Sequence, residues 1–427
     1  MAEAGFRQAS RTESTILTTS IWNDVHTLSR GIKPIDLGVG FPNFDIPAKV
    51  RQDLIDVSEE SDYSVHQYAK GFGHARLTTA LCELYGPLLG QEQLNSARNV
   101  MITSGASEAL FVSFMGLINP GDEVILIEPF YDAYLAQVLL AAGTPVFVPL
   151  RPSSDRSNSS ADWTLDAAEL EAAFSPKTKV LVLNTPNNPT GKVFSRPELE
   201  MIAGLCRERG VAVISDEVYE WIVHDELSHV RIASLPGMWE RTITIGSAGK
   251  VFSATGWRIG WAIAPAELLN GPRYVLQLSG YIVCTPIQEA LARSFERETA
   301  LLRQQSPECH FKSMQRKCQQ KRNQLAAALK SVGLHPIVPE GGYFMLADIR
   351  EIMAKLDLCS DSSEVKDVRF MKWLLQQHGL LAIPPSHFYS AQHRSIGENY
   401  IRFCFFKDDA TLDQAIKVLQ KMAQETF

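Results

Sequence analysis

The sequence has few of the features that mark secreted, zinc-binding or membrane-spanning proteins. Its seven cysteines are an odd number and form no CxxC pair, so neither a disulfide framework nor a zinc site is indicated. No apolar run approaches the ~20 residues of a membrane span. The longest stretch, residues 134–150, is interrupted by Gln137, Gly143 and Pro145. Acidic residues outnumber basic ones, 48 to 41, which argues against a nucleic-acid or anionic-membrane partner.

The N-terminal residues 1–20 lack the apolar core of a secretory signal. Their two arginines and many hydroxyl groups are features of mitochondrial transit peptides, but Glu3 and Glu13 oppose that interpretation. Because unpaired cysteines are typical of reducing compartments, we expect a cytoplasmic protein, with mitochondrial import as the alternative.

The length and patterning of the chain predict an α/β protein. At ~150 residues per domain, 427 residues indicate two or three folding units. Between residues 99 and 263, short runs that are apolar throughout alternate with helical patterns. Strands of this kind are expected in a sheet covered by helices on both faces. The alternation therefore predicts a largely parallel sheet.

The pattern changes near residue 306, where a long helix (311–332) and more widely spaced strands predict a smaller α+β domain. We divide the chain into an N-terminal arm that is also part of the small domain (1–45), a large domain (46–305) and the small C-terminal domain (306–427). The polar, serine-rich stretch 151–161 is predicted to be a mobile loop.

Polar clusters follow several predicted strands, where open α/β sheets bind ligands. TSGASE (103–108) opens a helix, so its free amides favour an anion near Gly105, Ala106 and Ser107, although a plain helix cap would look similar. There is no GxGxxG or GxxxxGK[ST] motif, which argues against a dinucleotide or a nucleoside triphosphate.

Two further clusters carry side chains that could hold a heterocyclic ligand. NTPNNPTG (184–191) contains Asn188, an amide between two prolines, although the segment could also be only a turn. SDEVY (215–219) places Asp216 three residues before Tyr219, about one helical turn apart. Asp216 could cap a helix or pair with a protonated ring nitrogen.

The fourth cluster, SAGK (247–250), ends an apolar strand with Lys250 and is followed by Arg258. A buried lysine amine is unfavourable unless it has a function, and desolvation lowers its pKa and makes it nucleophilic. Ser247 and Arg258 are suited to a phosphate group. A surface lysine is the alternative interpretation.

Together these motifs resemble the class I aminotransferases of fold type I, which depend on pyridoxal 5'-phosphate. The segments NTPNNPTG, SDEVY, SAGKVFSATGWRIGW and IRFCFFKD occur in the order typical of that family. The similarity runs from Trp22 to the C-terminal helix and is greatest to the kynurenine aminotransferase, or glutamine transaminase K, branch. It implies a large domain with a mostly parallel seven-stranded sheet flanked by helices, plus the smaller α+β domain.

The resemblance also implies roles for individual residues at the cofactor ring. Lys250 would bond covalently to the cofactor and later act as the general base, and Asp216 would pair with the pyridinium nitrogen. Asn188 and Tyr219 would donate to the phenolic oxygen, and Tyr131, in EPFYD (128–132), would stack on the ring.

Other matching residues would bind the phosphate and the substrate. The phosphate group would be held by Gly105, Ala106, Ser107, Ser247 and Arg258. Tyr68 would reach the phosphate from the neighbouring subunit of a homodimer. The substrate pocket would be formed by Arg402, which binds the α-carboxylate, together with Trp22, Gly40 and Asn188.

The implied activity is ping-pong transfer of an amino group from an aromatic or large apolar L-amino acid, of the kynurenine, tryptophan, phenylalanine or tyrosine type, to a 2-oxo acid. The sequence departs from the branch at Ile282-Val283, where an aromatic–histidine pair is common, and at Ser107, where tyrosine is usual. The sequence therefore favours a specialised aromatic aminotransferase at least as much as a kynurenine aminotransferase. A cysteine-S-conjugate β-lyase, a related synthase and a non-catalytic cofactor-binding regulatory module are the alternatives. No metal-ligand spacing is present.

Overall fold

The computed structural model describes residue 25 and residues 27–155, 157–356, 358 and 364–426. Its strands are β1 (Ile35–Asp36), β2 (Val100–Thr103), β3 (Glu123–Glu128), β4 (Thr144–Pro152), β5 (Trp163–Leu165), β6 (Thr178–Asn184), β7 (Ala212–Asp216), β8 (Thr242–Ser247), β9 (Gly260–Ile263), β10 (His335–Ile337), β11 (Phe344–Asp348), β12 (Leu380–Leu381) and β13 (Tyr400–Cys404).

The predicted long helix 311–332 corresponds to the helix His310–Ser331. The helices are α1 (Ala48–Ser58), α2 (Ala75–Leu88), α3 (Ser96–Asn99), α4 (Ala106–Leu117), α5 (Ala133–Leu140), α6 (Ala167–Ala172), α7 (Arg196–Arg209), α8 (Ala248–Val251), α9 (Ala266–Ser279), α10 (Thr285–Arg303), α11 (His310–Ser331), α12 (Arg350–Lys355), α13 (Lys366–His378), α14 (Arg394–Gly397) and α15 (Asp409–Thr426). Among the residues described, none of these helices has the length and apolarity needed to cross a membrane.

The main sheet has eight strands in the order β2-β9-β8-β7-β6-β3-β4-β5. Strands β3, β4, β6, β7 and β8 pair in parallel, whereas β9 is antiparallel to both of its neighbours. The predicted α/β class with a mostly parallel sheet is confirmed. Parallel strands place their carboxyl ends along one edge, where the polar clusters lie.

Strand β6 shows why these apolar runs form a doubly covered sheet. Successive side chains of a strand point to opposite faces. Val180 and Val182 pack into the core on one side, while Leu181 and Leu183 pack into the core on the other. Since both faces are buried, the run must be apolar at every position.

The predicted number of seven strands is wrong, because β5 pairs antiparallel with the end of β4. Trp163 and Leu165 are buried and Thr164 is exposed, so β5 follows the alternation of an edge strand. Three residues are too few for a period of two to be recognised beside a serine-rich stretch. Residues 151 and 152, assigned to a loop from the sequence, belong to β4.

The C-terminal part contains a three-stranded antiparallel sheet, β10-β11-β13, against which helices α11, α13 and α15 pack. Strand β1 pairs in parallel with β12, so the segment that follows the N-terminal arm is joined to C-terminal residues. The domain boundaries drawn from the sequence stay predictions.

Candidate active site

A cavity of about 300 Å³ opens at the carboxyl ends of β6, β7 and β8. Its lining combines cationic, anionic, amide and aromatic side chains. The lining residues are Val39, Gly40, Ala106, Ser107, Leu110, Tyr131, Tyr134, Asn184, Asn188, Asp216, Val218, Tyr219, Ser247, Lys250, Arg258, Phe344 and Arg402. Polar residues that are far apart in the sequence, including those of all four predicted clusters, therefore meet in one cavity.

Lys250 lies in the short helix α8, directly after β8. Its Nζ donates to the hydroxyl oxygen of Tyr343 over 2.6 Å and to the carbonyl of Gly40 over 3.1 Å. Burial lowers the pKa of this amine to about 8, and the nearby guanidinium groups of Arg402 and Arg258 act in the same direction. A substantial fraction of the amine is therefore neutral near neutral pH, as a nucleophile or base requires.

Asp216 ends β7, and its carboxylate is buried. Tyr134 donates its hydroxyl hydrogen to Oδ2, and the amide of Val218 donates to Oδ1 over 3.3 Å. Desolvation raises the pKa of Asp216 to about 6, while these hydrogen bonds and Lys250 lower it. A buried carboxylate of this kind favours a cationic partner, such as a protonated ring nitrogen.

Asn188 and Arg402 are joined across the cavity. Arg402 Nη1 donates to Asn188 Oδ1 over 2.7 Å, and Nη2 donates to the carbonyl of Gly38 over 3.0 Å. Because the oxygen of Asn188 is engaged, its amide nitrogen, which can only donate, is the group offered to a ligand oxygen. The backbone N–H of Asn188 donates to Asn184 Oδ1 over 2.7 Å, which fixes the loop after β6.

Arg402 is the most deeply buried cation of the cavity, with 1% of its surface exposed. Burial lowers its pKa to about 10, so it remains charged at neutral pH. Its Nε is buried and has no hydrogen-bond partner among the residues described. The rings of Phe344 and Phe388 lie 4.1 and 4.9 Å from the guanidinium carbon. A ligand carboxylate would supply the missing charged partner.

The start of α4 forms an anion-binding corner. Gly105 precedes the helix with φ of 76°, and a Cβ at this position would lie 2.5 Å from Arg258 Nη2, so only glycine fits here. Arg258 Nη2 donates to the carbonyl of Ser104 over 3.2 Å. Ala106, Ser107 and Ser247 line the same side of the cavity. Amides at a helix start together with a guanidinium group suit a phosphate.

Three further predicted residues lie in the cavity wall. Tyr219 is buried, its ring centroid lies 5.5 Å from Lys250 Nζ, and burial raises the pKa of its hydroxyl. Burial also raises the pKa of Tyr131, so both tyrosines are neutral donors. At Gly40 a Cβ would lie 2.5 Å from the ring of Phe344, so a larger residue here would displace that ring.

Tyr68 is not brought into the cavity of this single chain. Tyr68 is 78% exposed and packs edge-on against Tyr281, with 5.5 Å between the ring centroids. Ile282 and Val283, where the sequence departs from the branch, likewise do not line the cavity of this single chain as described. Trp22 lies outside the described residues.

Sequence reasoning missed two tyrosines of the site. Tyr134 lies in the first turn of α5 and bonds Asp216, and its ring packs edge-on against Tyr131, which precedes that helix. Tyr343 bonds both Lys250 and Gly40, and it directly precedes β11. Its contact with Lys250 could not be predicted from the sequence, because that contact joins parts of the chain that belong to two different sheets. No cluster of possible metal ligands occurs within the described ranges.

The arrangement offers a nucleophilic amine, a buried carboxylate, an anion corner and an arginine for a carboxylate within one cavity.

Residues 32–419 match the family described as aminotransferase class I and II. Human kynurenine--oxoglutarate transaminase 1 is 46% identical over 408 residues, which cover 95% of this chain and 96% of that protein. Mouse kynurenine--oxoglutarate transaminase 3 is 44% identical over 418 residues, which cover 97% of this chain and 90% of that protein.

Solved structures agree with this relationship. Bna3p from Saccharomyces cerevisiae superposes with a TM-score of 0.91 at 33% identity, covering 99% of this chain and all of that one. YbdL from Escherichia coli, which has a methionine aminotransferase function, superposes with a TM-score of 0.84 at 30% identity. The match covers 97% of this chain and all of YbdL. The resemblance inferred from the motifs is confirmed, and the lyase, synthase and regulatory alternatives are not favoured. The chain belongs to the class I and II aminotransferases.

Proposed function

We propose that this aminotransferase uses pyridoxal 5'-phosphate to move the amino group of an aromatic or large apolar L-amino acid to a 2-oxo acid. The observation that carries the proposal is the meeting of Lys250, Asp216 and Arg402 in one cavity. An amine of lowered pKa, a buried carboxylate and a buried guanidinium are the three groups that this chemistry needs.

The cavity residues fit the cofactor. Asp216 is a buried carboxylate that lacks a cationic hydrogen-bond partner among the described residues, and the amide of Asn188 and the hydroxyl of Tyr219 can donate to a ring oxygen. Tyr131 can stack on the ring. The phosphate would be bound by the corner formed by Gly105, Ala106, Ser107, Ser247 and Arg258. When bound, pyridoxal 5'-phosphate supplies an electron-withdrawing ring that stabilises negative charge at the substrate Cα.

The protein residues then perform binding and proton transfer. Arg402 binds the α-carboxylate with two parallel hydrogen bonds, which fixes the direction of the Cα–H bond. Lys250, as the neutral amine, takes the proton from Cα. Asp216 remains ionised beside the cationic ring nitrogen. The loaded enzyme would keep the amino group when the first 2-oxo acid leaves and pass it to the second 2-oxo acid in the same site, so the kinetics are ping-pong.

Two observations support the substrate class. The described wall contains the apolar side chains of Val39, Leu110 and Phe344, and the Phe344 ring lies 4.1 Å from the guanidinium carbon of Arg402. The proteins named above include two kynurenine--oxoglutarate transaminases, which act on an aromatic amino acid and a 2-oxo acid. The panel of amino acids in the test below identifies the preferred donor among kynurenine, tryptophan, phenylalanine and tyrosine.

We also propose a homodimer in which Tyr68 reaches the phosphate of the neighbouring site. Tyr68 and Tyr281 form an exposed aromatic pair, and Tyr274 and Leu278 are exposed on the helix that leads to Tyr281. Exposed aromatic groups of this extent are typical of an interaction surface.

The test is a spectroscopic and kinetic study of the purified protein. We expect a visible absorption band that changes when an aromatic L-amino acid is added, and turnover of a panel of amino acids against several 2-oxo acids. Lys250→Ala should retain pyridoxal 5'-phosphate non-covalently and lose turnover. Normal transamination by Lys250→Ala would contradict the mechanism, and activity confined to small or acidic amino acids would contradict the substrate class.

A further inference from the structure

The segment of residues 36–41 that follows β1 presents alternate carbonyls to the active site. The carbonyl of Gly38 accepts from Arg402 Nη2 over 3.0 Å. The carbonyl of Gly40 accepts from Lys250 Nζ over 3.1 Å and from the Tyr343 hydroxyl over 2.7 Å. Both the substrate-binding arginine and the catalytic amine are therefore held by the backbone of one short segment.

The intervening carbonyls of the same segment are held by Lys407, which lies three residues after β13. Its Nζ donates to the carbonyls of Val39 and Phe41, each over 3.0 Å, and lies 4.0 Å from Asp36 Oδ2. Lys407 is 1% exposed, and its amine lies 4.4 Å from the centre of the Phe41 ring. It lines no part of the active-site cavity.

The N-terminal end of the segment is fixed as well. Asp36 Oδ1 accepts the amides of Gly38 and Val39 over 2.8 and 2.9 Å. Burying a lysine amine is unfavourable unless hydrogen-bond acceptors replace its water, and here the carbonyls of Val39 and Phe41 do so. Lys407 thus holds the carbonyls of positions 39 and 41, while the carbonyls of Gly38 and Gly40 face Arg402 and Lys250.

We propose that Lys407 is a positioning residue for amino-acid binding: by holding the carbonyls of Val39 and Phe41, it directs those of Gly38 and Gly40 toward Arg402 and Lys250. The inference rests on the proposed function, since it assumes that Arg402 binds the substrate carboxylate. Without Lys407 the carbonyls of the segment no longer point alternately to the two sides. The guanidinium of Arg402 then loses the Gly38 carbonyl that sets its orientation.

The test compares two simple ligands on the cofactor-loaded enzyme. 3-Phenylpropanoate carries the carboxylate without an amino group, and 2-phenylethylamine carries the amine without a carboxylate. In Lys407→Met we expect the acid to bind about tenfold more weakly, which corresponds to the loss of one hydrogen bond to a charged group. The binding of the amine should be unchanged. The KM of the amino-acid substrate should rise by a similar factor. Binding is measured by titration of the visible band.

Lys321→Met is the matched control. Lys321 is also a buried lysine in the C-terminal part, but it donates to Asp409 over 2.5 Å and does not touch the segment 36–41. It should bind both ligands as the unaltered protein does. Asp36→Ala serves if Lys407→Met does not fold, because it frees the amides of Gly38 and Val39 at a half-exposed position. It should also weaken the acid selectively.

The outcomes separate the two proposals. Equal weakening of acid and amine in Lys407→Met, or acid binding within about twofold of the unaltered protein, overturns the role of Lys407. Selective loss of the acid in Arg402→Met with no effect of Lys407→Met leaves the proposed function standing and removes only this inference. An unaltered protein that does not bind the acid overturns both.

Discussion

The hydroxyl of Tyr134 donates a hydrogen bond to Oδ2 of Asp216, and both side chains are almost completely buried. Tyr134 lies on α5 and Asp216 at the end of β7, so the bond connects a helix packed on the sheet to the carboxylate at its edge. Burial alone raises the pKa of Asp216, whereas donation to the ionised form lowers it. Tyr134 therefore helps to keep Asp216 negatively charged and fixed in direction.

The first prediction concerns this bond. Tyr134→Phe removes only the hydroxyl, so we expect the pKa of Asp216 to rise and the proposed cofactor to bind roughly 3–30-fold more weakly at neutral pH. The dissociation constant is measured by titrating cofactor-free protein with pyridoxal 5'-phosphate. Tyr85→Phe is the control, since Tyr85 is an equally buried tyrosine that donates to Glu220 outside the cavity. Equal effects of the two changes would contradict a specific role.

The second prediction concerns the pH dependence of Lys250. Because its pKa is lowered from 10.5 to about 8, about 10% of the amine is neutral at pH 7, against about 0.03% for an ordinary lysine. The rate at which cofactor-free protein bonds to the aldehyde of pyridoxal 5'-phosphate should therefore rise with pH and level off above about 8.

Stopped-flow absorbance between pH 6 and 10 measures this rate, with n-butylamine as the reference amine. A rate that continues to rise tenfold per pH unit up to pH 10, as it does for the reference amine, would show that the cavity does not lower the pKa of Lys250.

Much of the site could be predicted because its residues follow apolar strands whose ends must meet at one edge of the sheet. Asp216 ends β7, and Asn188 and Lys250 lie within four residues of the ends of β6 and β8, a placement that needs only the parallel topology. Contacts between distant parts of the chain gave no comparable signal. Tyr343 reaches Lys250 from the C-terminal sheet, and Lys407 reaches the segment after β1, through tertiary packing alone. Strand β5 was not predicted because it forms only by pairing with β4. Its three residues are too few to show the two-residue alternation of buried and exposed side chains.

The third prediction tests whether Tyr68 serves the neighbouring subunit. Tyr68→Ala and Lys250→Ala should each have little activity alone. A dimer that contains one chain of each kind has one site with native Lys250 and, from the other chain, native Tyr68. Co-expression with two different affinity tags should therefore restore up to about half of the activity per dimer. Mixed dimers without recovered activity would show that Tyr68 does not complete the partner's site.

The last prediction concerns Arg402, whose two terminal nitrogens are held by Asn188 and Gly38. Lysine at this position keeps the positive charge but cannot form two parallel hydrogen bonds with a carboxylate. Arg402→Lys should therefore lower kcat/KM for aromatic L-amino acids by about 10²–10³, a loss of roughly 3–4 kcal/mol in transition-state binding. The binding of 2-phenylethylamine, which has no carboxylate, should change little. The control is Arg322→Lys, because Arg322 is also buried and bonds both carboxylate oxygens of Asp225 away from the cavity. If Arg402→Lys weakened the amine as strongly as the amino acid, Arg402 would be a structural residue, and the carboxylate would have to bind elsewhere.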